Sequence, residues 1–466
     1  MEYKNIYFEL EKLDSDKIIL HFKNKNHSFD LEFIEKFKEA IQHIKNLKNI
    51  KGVILYGNFP SSIDLKSLNS LNKDASSIFK FIKNIHDIFR SIETAKFPFI
   101  AATKKNLVGP GLEIAIACHR IICSANTQFY FPYASKGLMT ISGASQRISR
   151  IIGVKKSIEM LVNEKKLEAK NALHSRIAHK ITSNPLQSSK ALLLNNINII
   201  KPWDEKTTKS NFDDIWSTEI KHTFLIENAR THARFKSNYP APKAILSSLF
   251  EGLITNFETG VSIERRWLTW LLCEKNTQSI LNYFEKLEIF KNTNVNFCKQ
   301  FENLKKSDFI ENLFQSYAKE GNKLLEEGVS PILIENSALQ AGFEKGPLEV
   351  SDIIGTNDSG SIGKKINQLG RKGMSNLKGF YNYKKNSEKE IWPELSDLID
   401  LSTVQPEVNK IILRLLKVVA IETKNQVKVN SSIERDLANH IAIQEKVFPM
   451  WTGGPMNFLQ NQEQQN

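Results

Sequence analysis

A glycine-proline-glycine turn precedes an apolar, helix-forming stretch, and a carboxylate follows two residues later. Residues 107–120 read LVGPGLEIAIACHR, with Gly109, Pro110 and Gly111 in the turn and Glu113 just after it. A Gly-x-Gly turn at a helix start presents backbone N–H groups that can stabilise an oxyanion. Proline has no N–H, so Pro110 removes one donor from this turn. Glu113 could work as a general acid or base, or it could bond to the turn as a structural group.

The segments around this turn alternate between strand-like and helix-like patterns. Residues 30–47 and 76–95 have apolar side chains at helical spacing, and Asp30 is a candidate N-cap of the first of these helices. The strand-like stretches are KIILHF (17–22), IKGVILYG (50–57) and FPFIAATK (97–104). Such alternation predicts an α/β core whose strands pair largely in parallel.

Beyond about Asn195 the pattern becomes helical. Two long amphipathic segments cover residues 257–275 and 277–291, and their aromatic residues are interpreted as packing anchors rather than a binding site. Polar stretches that lack apolar periodicity indicate domain boundaries near Pro185–Ser189 and at residues 291–296.

Composition limits the classes of function. The chain has 466 residues, 41% of them hydrophobic, and a formal charge of +13. Its lysines alternate with acidic residues, which is typical of solvated helix faces, so we expect no nucleic-acid partner and at most peripheral contact with a membrane. No apolar run reaches the roughly 18 residues of a membrane span, and no secretory or transit segment begins the sequence. The four cysteines form no C-x-x-C pair, which favours a reducing compartment, predicts a cytoplasmic protein and gives no metal site.

Two stretches carry a family resemblance. Residues 97–153 resemble the signature region of the crotonase (enoyl-CoA hydratase/isomerase) superfamily, with its strand, glycine-rich turn, helical glutamate and later Gly-Gly-x-x-x-Arg-like run. Residues 58–68, NFPSSIDLKSL, resemble the family's other oxyanion-hole segment. The resemblance implies a ββα spiral domain over residues 1–190 and acyl-CoA or enoyl-CoA thioesters as ligands.

The rest of the chain is similar to one subgroup, the multifunctional α subunits of fatty-acid β-oxidation. NYPAPKAI (238–245) and residues 257–291 resemble that subgroup's linker helices, which implies linker helices over residues 191–296. Residues 308–355 and 371–383 resemble the helical domain of 3-hydroxyacyl-CoA dehydrogenases, and residues 412–459 resemble its second copy. An all-α dehydrogenase-like domain over 297–400 and a second helical repeat over 401–466 are therefore expected.

The subgroup's dinucleotide-binding domain has no counterpart in the sequence. Only the residues from Asn292 to Asp308 separate the linker helix from the helical repeats, fewer than the roughly 30 that one βαβ unit needs. No G-x-G-x-x-G motif occurs in the chain. We therefore expect no NAD, no other cofactor and no dehydrogenase activity, and Asn312, which matches an active-site asparagine of the helical domain, is interpreted as a remnant.

The resemblance assigns roles to individual residues and also shows departures from the pattern. Ile63 would provide the first oxyanion N–H, and Asp64 and the turn residues Gly109, Pro110 and Gly111 would belong to the substrate site. Pro110 stands at the second donor, Glu113 matches the first catalytic glutamate, and Tyr133 occupies the position of the second. Losing one oxyanion donor costs about 10²–10³ in rate, and losing one positioned acid or base about 10²–10⁴.

Three functional interpretations follow. The first is a β-oxidation protein that binds or acts on acyl-CoA with impaired hydratase chemistry, and the second is a true lyase in which Tyr133 moves the proton and Ile63 polarises the thioester. The third is a catalytically inactive structural subunit that no longer binds CoA. In each case a thiolase-like β subunit or a second copy of the chain is the expected protein partner, because the long amphipathic helices need a surface to pack on.

Overall fold

The computed structural model describes residues 3–14, 16–23, 28–71, 74–205, 216–293, 308–384, 388–427 and 432–463. Two units divide the chain: Met1–Arg234 with Tyr239–Gln278, and Phe235–Asn238 with Ser279–Asn466. The boundaries predicted after residues 190 and 400 do not coincide with this division. The boundary predicted after residue 296 lies outside the described residues.

The first unit is built around a parallel sheet. Its strands are β1 (Phe8–Lys12), β2 (Lys17–Phe22), β3 (Ser28–Phe29), β4 (Gly52–Gly57), β5 (Ser62–Ile63), β6 (Phe99–Thr103), β7 (Leu107–Val108), β8 (Arg120–Cys123), β9 (Gln128–Tyr130), β10 (Leu167–Glu168) and β11 (Lys180–Ile181). The main sheet has the order β1-β2-β4-β6-β8-β11. Each neighbouring pair from β2 to β11 is parallel, and only β1 joins the sheet antiparallel. The prediction of an α/β core with largely parallel pairing is confirmed.

Helices connect and cover these strands. They are α1 (Leu31–Asn46), α2 (Leu65–Ser70), α3 (Ala75–Glu93), α4 (Pro110–Ala117), α5 (Ala144–Ile152), α6 (Val154–Leu161), α7 (Ala169–His174), α8 (Pro185–Leu192), α9 (Thr218–Phe235), α10 (Pro240–Leu253), α11 (Phe257–Cys273) and α12 (Lys275–Thr293). Asp30 caps α1 as predicted, because its side chain accepts a hydrogen bond from Phe33 N at 2.7 Å.

One face of the sheet explains why its strands read as continuous apolar runs. Ile54, Ile100 and Ile122 lie on adjacent strands and pack with Leu193, which directly follows α8. A parallel sheet is covered on both faces, so its strands bury nearly every side chain. The stretch Pro185–Ser189, predicted as a boundary, is therefore part of a helix: Ser189 is fully buried. Apolar periodicity in this short segment was too weak to indicate that helix.

The second unit is mostly helical. Its elements after α12 are α13 (Phe309–Glu326), α14 (Pro331–Ala341), α15 (Pro347–Ile354), α16 (Ser361–Gln368), β12 (Tyr381–Tyr383), β13 (Lys389–Ile391), α17 (Val408–Gln426), α18 (Ser432–Gln444) and α19 (Pro455–Glu463). One apolar core runs from Phe309 to Phe458 in sequence. The expectation of an all-α C-terminal part needs one correction, since β12 and β13 form an antiparallel hairpin.

Two sets of three helices in this unit, α13–α15 and α17–α19, share one capping arrangement. Glu335 on α14 accepts a hydrogen bond at 2.8 Å from Leu348 N, at the start of α15. Asn439 on α18 accepts one at 2.8 Å from Met456 N, at the start of α19. Both capped helices begin at a proline, which suits a first helical position. This correspondence agrees with the weak repeat in the sequence. Among the described helices, none is both long enough and apolar enough to cross a membrane.

Candidate active site

The glycine-proline-glycine turn joins β7 to α4. Gly109 has φ 49° and ψ −118° and is the N-cap of α4, and Pro110 is the first helical residue. Gly109 N donates to Tyr130 O at 3.0 Å, which fixes the turn to β9. Proline fits the first helical position because its fixed φ suits the helix and its missing N–H would have no partner within it. The structure therefore has no backbone donor at residue 110, where the family resemblance places the second oxyanion N–H.

The start of α4 lies against the segment that leads to Ile63. A Cβ atom added to Gly111 would stand 2.5 Å from Pro60 O and 2.9 Å from Phe59 Cβ. Such distances are shorter than van der Waals contact, so only glycine allows this approach. The turn and the segment around Pro60 are thereby held side by side, which brings together the two stretches that the resemblance identifies as oxyanion segments.

Ile63 and Asp64 lie at the end of the second segment. Asp64 N donates to Phe29 O at 3.2 Å in the parallel ladder between β3 and β5. Because successive N–H groups of a strand point to opposite sides, the Ile63 N–H faces away from Phe29 and can serve another acceptor. The Asp64 side chain instead caps α2, accepting hydrogen bonds from Ser67 N at 2.8 Å and Ser67 Oγ at 2.5 Å. Asp64 therefore caps α2, and its place in the substrate site stays a prediction.

Glu113 is fully buried and its carboxylate is saturated with donors. Oε1 accepts from the Tyr133 hydroxyl at 2.7 Å, and Oε2 accepts from Ile141 N at 3.1 Å, Ser142 N at 2.8 Å and Ser142 Oγ at 2.5 Å. Three of the four donors contact Oε2, and Oε1 has Tyr133 and a longer second contact from Ile141 N at 3.4 Å, so each oxygen has at least two contacts for its two lone pairs. The position of Tyr133 thus matters directly: its hydroxyl lies on the carboxylate that the resemblance identifies as catalytic.

The surroundings shift the protonation of both groups. Burial raises the pKa of Glu113 to about 7, the negative charge of Glu264 adds to this, and the hydrogen bonds from Ser142 and Tyr133 oppose it. Burial and the charge of Glu113 raise the pKa of Tyr133 well above 10. Tyr133 therefore stays protonated at physiological pH and acts as a hydrogen-bond donor.

A second buried carboxylate, Glu264 on α11, was missed in the sequence. Its Oε1 accepts from Gly143 N at 2.6 Å, and its Oε2 accepts from Ser145 N at 2.8 Å and Ser145 Oγ at 2.5 Å. These are the donors at the start of α5, which a helix leaves without partners of its own. One signal could have revealed this role: Glu264 interrupts the apolar stripe of α11, at helical spacing between Val261 and Leu268.

A buried ion pair supports the same corner. The Arg147 guanidinium donates to both oxygens of Glu93, at 2.7 and 3.0 Å, and both side chains are almost fully buried. Arg147 Nη1 also donates to Ser142 O. Because Ser142 N and Oγ donate to Glu113, this contact helps to fix the orientation of Ser142. A bidentate pair between arginine and a carboxylate is geometrically specific, so the Glu113 surroundings are rigidly held.

Most of the predicted site residues converge, and two lie apart from the carboxylate. Gly109 and Tyr133 are neighbours, since a Cβ on Gly109 would stand 3.1 Å from the Tyr133 hydroxyl oxygen, and Pro110, Gly111 and Glu113 belong to the same helix. Ile63 and Asp64 connect to this group through the Pro60 segment, whereas the hydrogen bonds to Glu113 come from Tyr133, Ile141 and Ser142. Within the described chain, no three His, Cys, Asp or Glu side chains are grouped to hold a metal ion.

The cysteines and Asn312 have structural environments. Burial raises the pKa of Cys118 to about 12 and that of Cys123 to about 11, which keeps both thiols protonated and unreactive. Asn312 on α13 donates from Nδ2 to Gln426 Oε1 at 3.4 Å. This contact joins α13 to α17, in keeping with the interpretation of Asn312 as a remnant.

Most of the first unit matches a known protein family. Residues 16–242 match the enoyl-CoA hydratase/isomerase family, and this stretch contains the main parallel sheet, the turn and Glu113. Residues 16–242 therefore form a crotonase-like α/β domain that matches the enoyl-CoA hydratase/isomerase family, and a mostly helical part follows.

Curated relatives and solved structures are similar to part of the chain. The fatty acid oxidation complex subunit alpha of Shewanella loihica is 24% identical over 290 residues, which cover 59% of this chain and 40% of that protein. The subunit of the same name from Shewanella putrefaciens is 24% identical over 273 residues, covering 56% and 38%. The match thus spans about two fifths of the length of these relatives. An enoyl-CoA hydratase/isomerase structure from Mycobacterium paratuberculosis is 13% identical with a TM-score of 0.42, covering 60% of this chain and 98% of that one.

Proposed function

We propose that the protein is an enoyl-CoA hydratase-family member of fatty-acid β-oxidation that binds acyl-CoA and enoyl-CoA thioesters and hydrates the enoyl-CoA poorly. The family match over residues 16–242 supports the class of ligand. The name of the relatives, fatty acid oxidation complex subunit alpha, supports the pathway.

The saturated carboxylate of Glu113 is the observation that carries this proposal. Hydration needs a carboxylate that can hold and deprotonate a water molecule, but donors from Tyr133, Ile141 and Ser142 surround both oxygens of Glu113, and only the 3.4 Å contact of Ile141 N with Oε1 is weak enough for a water to replace. Hydration also needs donors for the thioester oxygen, and Pro110 supplies none. The site therefore retains the framework of a hydratase while two of its chemical groups are blocked or absent.

The lyase interpretation with Tyr133 as the proton-transfer group is the weaker one. A general base works best when its pKa is near the ambient pH, and the pKa of Tyr133 lies well above 10. As an acid, Tyr133 would have to give up the proton that it donates to Glu113 at 2.7 Å. The inactive, non-binding subunit remains as an alternative that the binding experiment below decides.

The proposal extends to partners, cofactors and compartment. The expected protein partner is a thiolase-like β subunit or a second copy of the chain, and no cofactor beyond the CoA thioester is proposed. The absence of NAD binding stays a prediction from the short interval between Asn292 and Asp308, most of which lies outside the described residues. A cytoplasmic location is supported by the buried thiols of Cys118 and Cys123.

The test is crotonyl-CoA hydration by the wild type, Pro110→Gly, Tyr133→Glu and the double variant, with butyryl-CoA affinity measured by calorimetry for each. Pro110→Gly restores a backbone N–H, and Tyr133→Glu supplies a carboxylate and releases one donor from Glu113. We expect little gain from either single change and a gain in the double variant larger than their product, because both groups act on one transition state.

The matched control is Pro185→Gly, which removes the first-position proline of α8 and should give no gain in hydration. Wild-type turnover of about 10 per second or more would contradict the impaired chemistry. Butyryl-CoA binding that is absent in every variant, with folding intact, would support the inactive structural subunit instead.

A further inference from the structure

A cavity of about 420 Å³ lies in the first unit at the opposite end of α4 from the catalytic turn. Its wall includes Ile116 and Cys118 at the end of α4, whereas Pro110 begins that helix. Eight helical residues span about 12 Å, so the cavity is separate from the Glu113 site. Its volume falls within the roughly 300–1,000 Å³ of small-molecule pockets.

Positive charge dominates the wall of this cavity. Its charged and titratable residues are Arg120, Arg150, Arg176, Lys201, His119, His179 and one carboxylate, Glu205. Four permanent or near-permanent cations therefore face one carboxylate. Like charges that share a desolvated site repel one another, and a bound anion relieves that repulsion.

Lys201 is buried among neutral oxygens. Its ammonium donates to Ile116 O at 3.0 Å and Cys118 O at 2.6 Å, the last carbonyls around the end of α4. Burial lowers the pKa of Lys201 to about 8, and among the charges around it Glu93 raises this value while Arg120 lowers it. Glu93 is already bonded through both oxygens to Arg147. The Lys201 ammonium is thus held in position by two neutral carbonyl oxygens, which do not cancel its positive charge.

Arg120 and Arg176 have unused donor capacity. A guanidinium carries five N–H donors. Arg120 donates from Nη1 to the backbone carbonyl oxygen of His119 at 2.7 Å, and this oxygen carries no net charge. Burial alone lowers the pKa of Arg120, with no carboxylate acting in the other direction. Arg176 is exposed at the rim and has a left-handed backbone, with φ 63°. In the described part of the chain, neither arginine forms an ion pair within 4.0 Å.

Two further N–H groups belong to residues of the wall, Trp203 and His179. Trp203 Nε1 is buried and has no hydrogen-bond partner in the described chain. The His179 ring accepts from Ile121 N at its Nδ1, at 3.1 Å, so in the neutral ring the proton lies on Nε2. Because Trp203 Nε1 is closed off from solvent, the Trp203 ring contributes an apolar part of the wall rather than a donor to an anion.

We propose that this cavity binds the phosphate group of a small organic phosphate, with Arg120 and Arg176 as the anion ligands. Phosphate fits better than a carboxylate, because two arginines, Arg120 and Arg176, match a multiply charged anion and the arginine fork matches phosphate geometry. The apolar part of the wall, with Ile121, Ile177 and Trp203, suits the organic body of the ligand.

Calorimetry on the full chain tests the proposal with ADP and with inorganic phosphate as probes. The variants are Arg120→Gln, Arg176→Gln and, as a matched control, Arg230→Gln, an exposed arginine on α9 that pairs with Glu227. We expect saturable ADP binding that weakens by about tenfold or more in each cavity variant and is unchanged in the control. Saturable binding of inorganic phosphate with the same sensitivity also supports the site and assigns recognition to the phosphate group.

Two further arms separate this site from the proposed acyl-CoA site. ADP is part of coenzyme A, so the ADP titration is repeated with saturating butyryl-CoA, and binding should persist. Butyryl-CoA affinity should stay unchanged in the Arg120 and Arg176 variants. Absence of saturable binding of both probes, or ADP binding that butyryl-CoA displaces and neither substitution weakens, overturns the proposal. If Arg120→Gln does not fold, the exposed Arg176 variant decides the outcome alone.

Discussion

Replacing the buried carboxylate of Glu113 by an amide should change how stability depends on pH. The pKa of this group rises from 4.5 to about 7 on folding, mainly because of burial. Between these two values the folded protein holds a proton that the unfolded chain has released. The stability contributed by Glu113 is therefore complete below about pH 4.5 and is lost as the pH rises to about 7.

The size of the effect follows from the same shift. One pKa unit corresponds to about 1.4 kcal/mol, so ionisation of Glu113 should weaken folding by about 3 kcal/mol between pH 4.5 and pH 8. Glu113→Gln cannot ionise, and its amide nitrogen opposes one of the donors from Tyr133 or Ser142. We expect the variant to be less stable than the wild type at pH 5, and that deficit to shrink or reverse by about 3 kcal/mol at pH 8.

The measurement is urea unfolding of wild type and Glu113→Gln at pH 5 and pH 8, followed by tryptophan fluorescence. Taking the difference between the two proteins cancels the titration of all other groups, and if two transitions are seen, the one that moves belongs to the unit with Glu113. Glu39→Gln, on the exposed face of α1, is the control. If the difference in unfolding free energy between wild type and Glu113→Gln is the same at pH 5 and pH 8, the link between burial and the raised pKa of Glu113 is refuted.

Four other outcomes are expected. Glu264→Ala leaves Gly143 N without its acceptor and leaves Ser145 N and Oγ with only their longer contacts to Thr140 and Ser248, so unfolding free energy should drop by about 2–4 kcal/mol, measured by urea titration. Gly111→Ala forces a Cβ against Pro60 O and should lower stability by about 1–3 kcal/mol through this clash, because Gly111 lies in α4; Gly370→Ala, with open space around it and a φ of 80°, shows the separate cost of a left-handed backbone. NADH titration followed by fluorescence should show no saturable binding, and a saturable signal would show that a nucleotide site exists. Co-purification should retain a thiolase-like protein or a second copy of the chain; a monodisperse monomer that retains neither would count against the proposed partners.

The sequence was sufficient wherever the cause is local. Asp30 caps α1 because its side chain reaches a backbone N–H three residues away, and the alternation of strand and helix patterns predicts parallel pairing because short periodic segments need a shared core. Pro110 removes a backbone donor in any fold, since proline has no N–H. The family match confirms the resemblance that residues 58–68 and 97–153 carried.

Tertiary structure alone decided what surrounds those residues. Glu264 reaches the start of α5 from 121 positions away, and the donors that saturate Glu113 come from Tyr133, Ile141 and Ser142, which local periodicity cannot bring together. The buried helix α8 was hidden because its stability comes from packing on the sheet rather than from its own propensity. Spacing in the sequence specifies helices, strands and caps. The protonation of a buried carboxylate and the hydrogen bonds that it accepts depend on desolvation and on donors from distant segments, which come together only once the chain has packed.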